Sequence, residues 1–433
     1  MEEDIRPGKK LLEERLEKAI GIAQERIDKE AAEDPELRFA LSIVEQFIKK
    51  KKRVCYGGTA MNALLPPSMK FYSEKDLPDY DFFTPDLEND MEELITDLRR
   101  AGFLESSSRV GIHEGTKKIM VNYVAVADMS EMEKVTYDIL EAKSSIVKGI
   151  RYTNPDVLRM MMYLEISRPK GQVDRWPKVY ERLALINKAF PLKRCPKEQR
   201  RPKNIPLKVR ELLHSYCFKN KRVLANVRLE KIYYKSIRAA KPVVWESKEG
   251  GPVVFYSPDL KRDSIALRTL LGETEVDIRF FAAKGELVPP RMVISLYGVE
   301  VALLIQETAC HSYNTLKTPK GETVYIASLP TLITLYLSLA IFTDDEKYLF
   351  KFSLMCAIER MITVHTILQS HRREWQFPIF SLDCHGYQKG FPTLLREKVE
   401  RIEAEKAETK VKELLKKGTR KRKHRRSRTR RKM

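Results

Sequence analysis

The sequence of 433 residues has few of the features that mark secreted, zinc-binding or membrane-spanning proteins. Its six cysteines form no CxxC pair, and no Cys/His cluster has the spacing of zinc ligands. This pattern predicts reduced thiols, an intracellular protein and no structural zinc. The chain opens on an acidic segment, Met1–Asp4, and we expect no signal peptide.

Long apolar runs are also missing. The longest, residues 327–343, is interrupted by Ser, Thr and Pro, and it is short for a bilayer span. We therefore expect a buried core helix there and no membrane partner. With 43% hydrophobic and 32% charged residues, the composition suits a globular protein, and the length predicts two or three domains. No internal repeat is evident by eye.

Positive charge is abundant, with a formal net charge of +20. From Lys416 to the end there are 12 Lys or Arg residues and no acid. This charge predicts a polyanionic partner, and RNA or DNA is favoured over a membrane surface. The alternative is a disordered tail that only keeps the protein in solution. A Pro-rich basic loop is a second candidate for contact with a nucleic-acid backbone, through Lys193, Arg194, Lys197, Arg200, Arg201 and Lys203.

The chemistry-bearing pattern begins with a short apolar strand at 54–56, followed by Gly57-Gly58-Thr59 and a helix. Two glycines permit a tight turn and close backbone approach, and the free N–H groups of the helix start suit the β and γ phosphates of a nucleotide. The Thr59 hydroxyl can donate to the same phosphates. Asn62, one turn on, is a candidate contact to the sugar or phosphates.

Asp79 and Asp81 lie on the next predicted strand, residues 77–83, where alternation puts both carboxylates on one face. Carboxylates at this spacing can hold two Mg²⁺ or Mn²⁺ ions, which activate an attacking 3′-hydroxyl and neutralise the leaving pyrophosphate. Asp128, at the end of a strand predicted over 118–127, is the candidate third carboxylate; Asn122 shares its parity but is neutral. The alternative is a plain glycine turn beside solvated aspartates.

Several segments carry a family resemblance. YGGTAMN at 56–62 and DYD at 79–81 resemble the DNA polymerase β-type nucleotidyltransferase superfamily. Residues 157–192, VADMS at 126–130, CHSYN at 310–314 and IASLPTL at 326–332 resemble the poly(A) polymerase catalytic subunit of large nucleocytoplasmic DNA viruses. The resemblance extends over roughly residues 35–370.

The resemblance implies an α/β (α+β) architecture with a polymerase β-like nucleotidyltransferase domain, connecting helices and a second, degenerate nucleotidyltransferase-like domain. It implies ATP as substrate, a divalent metal as cofactor and RNA as primer. By position, Gly57, Gly58 and Thr59 match the phosphate-binding turn, whereas Asp79 and Asp81, with Asp128, match the metal-binding carboxylates.

The sequence departs from the superfamily pattern at two points. Thr59 stands in place of the usual Ser and keeps the hydroxyl. The 21 positions from Gly58 to Asp79 imply a loop over 66–76 near the mouth of the site. In the second region no GG…DxD set recurs, and the isolated acids Asp259 and Asp277 predict no catalysis there.

Basic and aromatic residues of the segment 157–192 are further candidates. Contacts to triphosphate or primer are one interpretation of the cations, and ion pairs with Glu165 and Glu181 are the other; these cations are Arg159, Arg168, Lys170, Arg175 and Arg182. Tyr163 and Trp176 can stack on a base, although packing in the core is the favoured interpretation.

The expected function is therefore template-independent transfer of AMP from ATP to single-stranded RNA 3′ ends, in the host cytoplasm or the virion. Two alternatives stay open: another terminal transferase, for uridylate or tRNA end repair, and a non-catalytic RNA-binding or processivity protein. The sequence leaves open a homodimer or a separate processivity subunit. Five segments are predicted: N-terminal helices (1–52), the catalytic domain (53–145), a helical connection with the basic linker (146–219), the second domain (220–395), and a charged helix with a basic tail (396–433).

Overall fold

Two mixed α/β units, each organised around one β-sheet, make up most of the structure. The computed structural model describes residues 5–73, 76–193, 205–246, 251–344, 354–370, 376–390, 392–407 and 410. Two helices precede the first sheet: α1 (Ile5–Glu33) and α2 (Pro35–Lys51). The Asp34 carboxylate caps α2 by accepting from the backbone N–H of Glu36 at 2.8 Å. The apolar face of α2 is buried, which anchors the helix to the first unit.

The first sheet has the strand order β3-β4-β5-β2-β1-β7-β6. Its strands are β1 (Val54–Tyr56), β2 (Asp81–Thr84), β3 (Ser106–Val110), β4 (Thr116–Val121), β5 (Val124–Glu131), β6 (Ser145–Val147) and β7 (Ile150–Tyr152). Its helices are α3 (Gly57–Leu64), α4 (Leu87–Arg100) and α5 (Lys134–Ala142). The predicted strand at 54–56 is confirmed, and the helix predicted after the Gly57-Gly58 turn is α3.

One strand prediction is wrong. The segment predicted as a single strand over 118–127 is a hairpin of β4 and β5, which turns at Asn122 and Tyr123. Both turn residues have positive φ, 47° and 69°, as a tight two-residue hairpin requires. The turn removes Asn122 from the strand, and it places Asp128 within β5 rather than at its end.

Three helices connect the two sheets: α6 (Pro155–Ile166), α7 (Trp176–Ala189) and α8 (Leu207–Lys219). Asn154 caps the start of α6, because its side chain accepts from the Asp156 N–H at 2.7 Å. Of the predicted basic loop, only Lys193 lies within the described residues.

The second sheet has the order β10-β11-β12-β9-β8-β14-β13-β15. Its strands are β8 (Val223–Leu224), β9 (Val253–Ser257), β10 (Val276–Phe281), β11 (Arg291–Leu296), β12 (Val299–Gln306), β13 (His311–Lys317), β14 (Thr323–Ala327) and β15 (Cys384–His385). Its helices are α9 (Glu230–Arg238), α10 (Leu260–Leu271), α11 (Leu329–Phe342) and α12 (Leu354–Ser370). Helix α11 is the expected buried core helix. None of the helices that the structure describes has the length and apolar character needed to cross a bilayer.

The two sheets share one topology. Read strand by strand, β3-β4-β5-β2-β1-β7-β6 corresponds to β10-β11-β12-β9-β8-β14-β13, and each pair of neighbours has the same direction in both sheets. No repeat was evident by eye in the sequence, but the shared topology agrees with the second nucleotidyltransferase-like domain that the resemblance implies. Two sheets of mixed α/β character agree with the expected fold class.

The two units pack together through α6 and α11, and one continuous apolar core extends through both. The Ser312 N–H donates to the Ser167 carbonyl oxygen at 3.0 Å across this junction. Strands β6 and β7 belong to the first sheet although they lie at and beyond the predicted border at 145. The domain borders as such stay predictions.

A final helix over 392–407 returns to the first sheet. There Arg401 Nη2 donates to the Ile112 carbonyl oxygen at 2.9 Å, and Lys117 pairs with Glu405 at 2.5 Å. The charged helix predicted from 396 is thus present over 396–407. The predicted basic tail, 418–433, lies outside the described residues.

The cysteines differ from expectation. Cys310 and Cys384 form a disulfide that joins the start of β13 to β15, with the two Cα atoms 5.2 Å apart. The expectation of reduced thiols is wrong for this pair, because the fold brings together two residues 74 positions apart. Cys55 and Cys217 are free and buried.

Candidate active site

The turn after β1 shows why glycine is needed at its first position. Gly57 has φ +73°, a conformation that side chains other than glycine rarely adopt. A Cβ atom at Gly57 would also collide with the carboxylate of Asp81, which lies on the neighbouring antiparallel strand opposite Tyr56. The missing side chain therefore lets the carboxylate lie directly against the start of α3.

Two of the three predicted carboxylates sit side by side. Asp81 on β2 and Asp128 on β5 are direct partners in a parallel pair, whose strands lie about 4.8 Å apart. Asp79 comes two residues before Asp81 but outside the strand, because β2 begins at Asp81 rather than at the predicted residue 77. The structure thus brings Asp79, Asp81 and Asp128 into one neighbourhood at the start of β2.

Burial and neighbouring carboxylates raise the pKa of Asp79 and of Asp81. Burial, then the charges of Asp79 and Asp128, raise the pKa of Asp81 to about 7. Burial in the cleft and then the charge of Asp128 raise the pKa of Asp79, although solvent still reaches part of its side chain. Nearby cations offset this effect, and Lys118 is one of them: its Nζ on β4 lies 2.5 Å from Asp128 Oδ2, and its charge lowers the pKa of both Asp79 and Asp81. The sequence interpretation missed Lys118, because its place beside Asp128 depends on the hairpin.

The donor set suits a divalent cation, which carboxylate oxygens bind well. Repulsion among the three carboxylates, offset by nearby basic side chains, is the electrostatic situation that such a cation relieves. In the described part of the chain, however, no three His, Cys, Asp or Glu side chains converge closely enough to form a metal-binding group. Asp128 is held by Lys118 instead.

Thr59 and Asn62 tie the parts of the motif together. Thr59 Oγ1 accepts from the Asp79 N–H at 3.1 Å, which leaves the hydroxyl proton available to a phosphate. Asn62 Oδ1 accepts from the N–H groups of Phe71 and Tyr72 at 2.9 and 3.0 Å, so this side chain fixes the segment before Asp79. A contact of Asn62 with nucleotide stays a prediction.

A second wall of the site is basic. Arg175, Lys178 and Arg182 recur at helical spacing at the start and along one face of α7, and their charges act on Asp79 and Asp81. Burial and then the charges of Arg182 and Arg175 lower the pKa of Lys178. Arg175 pairs with Glu165 at 3.2 Å, as the ion-pair interpretation predicted. Lys178 was missed, although its spacing of three from Arg175 and four from Arg182 was a usable signal.

Other residues named from the sequence lie in packed positions. Arg159 is fully buried and pairs with Asp156, and its Nε donates to Asn187 at 2.7 Å. Tyr163 is fully buried as well. Trp176 donates its indole N–H to the Glu165 carbonyl oxygen at 3.3 Å, and its ring stacks on Phe380 at 5.5 Å between centroids. These contacts agree with the favoured interpretation of the two aromatic rings as packing residues.

Comparison with known proteins finds similarity to viral poly(A) polymerases. The model of the poly(A) polymerase catalytic subunit family matches residues 42–172, a range that contains the glycine turn, the three carboxylates and α6. The inferred poly(A) polymerase catalytic subunit of African swine fever virus is 31% identical over 182 residues, which cover 40% of this chain and 37% of the relative.

A second relative comes from Acanthamoeba polyphaga mimivirus, where the inferred poly(A) polymerase catalytic subunit is 29% identical over 164 residues, 36% of this chain and 27% of the relative. The chain thus matches 37% of the length of the first of these relatives and 27% of the length of the second. Among solved structures, the Megavirus polyadenylate synthase aligns with a TM-score of 0.73 at 17% identity, over 92% of this chain and 83% of that protein. This likeness confirms the fold across both sheets.

Proposed function

We propose that this chain is a template-independent polynucleotide adenylyltransferase, which transfers AMP from ATP to the 3′ end of single-stranded RNA. The observation that carries the proposal is the meeting of Asp79, Asp81 and Asp128 beside the Gly57-Gly58 turn, within the segment that the family model matches. The names of the viral relatives support adenylate as the transferred group. The viral relatives also support a protein that acts in the host cytoplasm or in the virion.

The nucleotide would contact two walls of the cleft, the start of α3 and one face of α7. The N–H groups at the start of α3 and the Thr59 hydroxyl would bind the β and γ phosphates. Lys178 and Arg182, for which the described residues offer no carboxylate within 4.0 Å, would bind the same phosphates from α7. These two cations lie beside a carboxylate cluster without an acidic partner of their own among the described residues. This arrangement suits a polyanionic ligand that bridges the two walls.

Asp79, Asp81 and Asp128 would hold divalent cations, Mg²⁺ or Mn²⁺. Such cations supply charge neutralisation at the reacting phosphate and lower the pKa of a bound hydroxyl. The raised pKa of Asp81 marks it as the carboxylate that gains most from a neighbouring positive charge. In-line attack of the RNA 3′-hydroxyl on the α-phosphate would form the new phosphodiester bond and break the bond to the pyrophosphate.

A primer-extension assay tests the proposal. A labelled single-stranded RNA is incubated with Mg²⁺ or Mn²⁺ and each nucleoside triphosphate separately, with the double variant Asp79→Ala/Asp81→Ala as the inactive form. Asp277→Ala, which removes an exposed acid of the second sheet, is the matched control and is expected to extend normally. We expect long products with ATP, and a fall in rate of at least about 10³-fold in the double variant.

The other outcomes select among the alternatives. Products formed mainly with UTP or CTP keep the site and reject adenylate transfer. RNA binding without extension by any nucleotide points to a missing processivity subunit or to a non-catalytic RNA-binding protein. Addition of a relative's subunit, with extension as the readout, separates these two.

A further inference from the structure

Phe71 and Tyr72, in the segment after α3, fold back over the start of α3. The amide of Asn62 holds them there, since Oδ1 accepts from two successive backbone N–H groups and Nδ2 donates to the Tyr72 carbonyl oxygen at 3.4 Å. The sequence marked this region as a loop near the mouth of the site. The hydrogen bonds fix the aromatic pair Phe71 and Tyr72 at a defined place beside the glycine turn.

Arg182 of α7 meets this aromatic pair. Its Nη2 donates to the Tyr72 hydroxyl at 2.7 Å, and its guanidinium lies 4.7 Å from the Phe71 ring centroid and 5.5 Å from that of Tyr72. In the described part of the chain no carboxylate pairs with this guanidinium. Arg182 is therefore held by a hydroxyl and two ring faces, which leave its full positive charge unneutralised.

Gly58 shows where this charge lies. A Cβ atom at Gly58 would stand 2.8 Å from the Tyr72 hydroxyl oxygen and 2.9 Å from Arg182 Nη1. The guanidinium thus lies directly on the first turn of α3, where backbone N–H groups lack helical partners. A guanidinium has five N–H donors, and Tyr72 takes only one of the two on Nη2. The donors that remain face the place where the nucleotide phosphates are proposed to bind.

We propose that Tyr72 is a positioning residue, which holds Arg182 over the Gly57-Gly58 turn so that the guanidinium is ready to bind the β and γ phosphates of the nucleotide and the pyrophosphate that leaves. The inference rests on the proposed function for the identity of the nucleotide. The class of ligand, an inorganic or nucleoside polyphosphate, follows from the geometry of Tyr72, Arg182 and Gly58 alone.

The physical basis is preorganisation. A free arginine side chain has about 2 kcal/mol of rotamer entropy to lose when it binds a ligand. Because the Tyr72 hydroxyl and the two rings already fix the guanidinium, most of that loss occurs in the free protein rather than on binding. Removal of the hydroxyl alone should weaken polyphosphate binding without changing the fold, since the ring of Tyr72 stays in place.

The test measures binding of inorganic tripolyphosphate by titration calorimetry, and then the kinetics of extension. Tyr72→Phe keeps the ring and removes the hydroxyl. We expect about tenfold weaker binding of tripolyphosphate, and a rise in KM for ATP by the same factor. The Michaelis constant for RNA and the melting temperature are expected to stay unchanged, which distinguishes positioning from a general structural effect. Arg182→Ala should lose more affinity than Tyr72→Phe.

The second sheet offers a matched control. Tyr234 and Arg238 on α9 form a similar contact, with the guanidinium 4.7 Å from the ring centroid, far along the chain from the glycine turn. Tyr234→Phe is expected to bind tripolyphosphate as the unchanged protein does. A Tyr72→Phe variant with the affinity of the unchanged protein overturns the inference, as does an unchanged protein that does not bind tripolyphosphate.

Failure of the proposed function gives a different pattern. Tripolyphosphate binding that depends on Tyr72 and Arg182, in a protein that extends no RNA with any nucleotide, supports the positioning role and rejects the adenylyltransferase. A change in melting temperature or in KM for RNA with no change in tripolyphosphate affinity overturns the positioning role.

Discussion

The two sheets keep the same structural ion pair and differ in the carboxylates of the active site. Arg53 precedes β1 and pairs with the buried Asp90 of α4 at 2.5 Å; Arg222 precedes β8 and pairs with the buried Asp263 of α10 at 2.7 Å. In both units the residue before the arginine, Lys52 or Lys221, has positive φ, 56° and 52°. The same backbone turn therefore precedes the arginine of the ion pair in each unit.

A short sequence repeat accompanies this pair. TPDL at 84–87 and SPDL at 257–260 each join the second strand of the unit to its helix. The hydroxyl of Thr84 donates to Asp90 at 2.5 Å, and that of Ser257 donates to Asp263 at 2.7 Å. Each buried carboxylate is thus satisfied by an arginine and a hydroxyl, as buried charges require.

The two units differ at the candidate catalytic positions. Counting three residues back from Thr84 and from Ser257, Val254 occupies the place of Asp81, and its neighbour Leu303 occupies that of Asp128. Both replacements are apolar and buried. The comparison teaches that the Arg–Asp pair serves the scaffold, which both units need, whereas the clustered carboxylates serve only the site in the first unit.

Breaking the shared ion pair gives the largest expected effect. Arg222→Met should lower the free energy of unfolding by about 3–5 kcal/mol, because it leaves the buried carboxylate of Asp263 without its cation. Arg53→Met should lower it by less, because Lys51 Nζ still lies 3.5 Å from the carboxylate of Asp90.

Urea denaturation measures both losses of stability. Arg100→Met, which removes an arginine that is 77% exposed, is the control and should change stability by less than about 0.5 kcal/mol. An effect of Arg222→Met within 1 kcal/mol would contradict the scaffold role.

The sequence predicted those features that depend on near neighbours. The strand before Gly57 rests on a few adjacent residues and was placed correctly, whereas Asp79 lies outside the strand that was predicted to hold both it and Asp81. The β4–β5 hairpin was missed because Asn122 and Tyr123 turn the chain without a glycine or proline. The repeat was not evident by eye because, apart from the short matching segment, it consists of strand order, which no local pattern shows.

The same reason accounts for the missed site residues. Lys118 meets Asp128 across a hairpin, and Tyr72 meets Arg182 across 110 positions of sequence. Their side chains become neighbours only when β4, α3 and α7 are assembled. A sequence pattern indicates which chemistry a segment can perform, but contacts between distant segments follow from packing.

Two glycines, one in each unit, allow the comparison to be sharpened. Gly57 and Gly298 have nearly the same positive φ, 73° and 69°, but a Cβ at Gly298 meets nothing within 4 Å, whereas one at Gly57 meets the Asp81 carboxylate. We expect both Gly→Ala variants to lose about 1 kcal/mol of stability from the backbone. Only Gly57→Ala should also lose extension activity, by about 100-fold, because it displaces the carboxylate.

Rates of extension and urea denaturation of the two variants check this prediction. Equal activity of Gly57→Ala and Gly298→Ala would show that the approach of Asp81 to the turn does not matter for the reaction. A much larger stability loss at Gly57 alone would assign the glycine to folding rather than to the site.

A fall in pH should lower the stability of the second sheet and raise that of the first. His311 on β13 is buried against the Tyr256 ring, 4.8 Å between centroids, and burial followed by the charge of Arg168 lowers its pKa to about 3. The folded second sheet therefore holds His311 neutral, and its stability falls as pH drops below the unfolded pKa near 6.5. One such histidine costs about 2 kcal/mol by pH 5. In the first sheet the pKa of Asp81 is raised, so the effect of acid on stability is the opposite. Protonation of Asp81 as the pH falls relieves repulsion and stabilises the fold.

Hydrogen exchange by mass spectrometry at pH 7 and pH 5 compares β13 with β2 in one sample. We expect protection of β13 to fall at pH 5 while that of β2 holds or rises. His311→Gln should reduce the fall at β13, because glutamine does not titrate, whereas His113→Gln, at an exposed position of the first unit, should leave it unchanged. A fall at β13 that is the same in His311→Gln would assign the acid sensitivity of the second sheet to the other buried histidines, His214 and His365, whose pKa burial lowers to about 4.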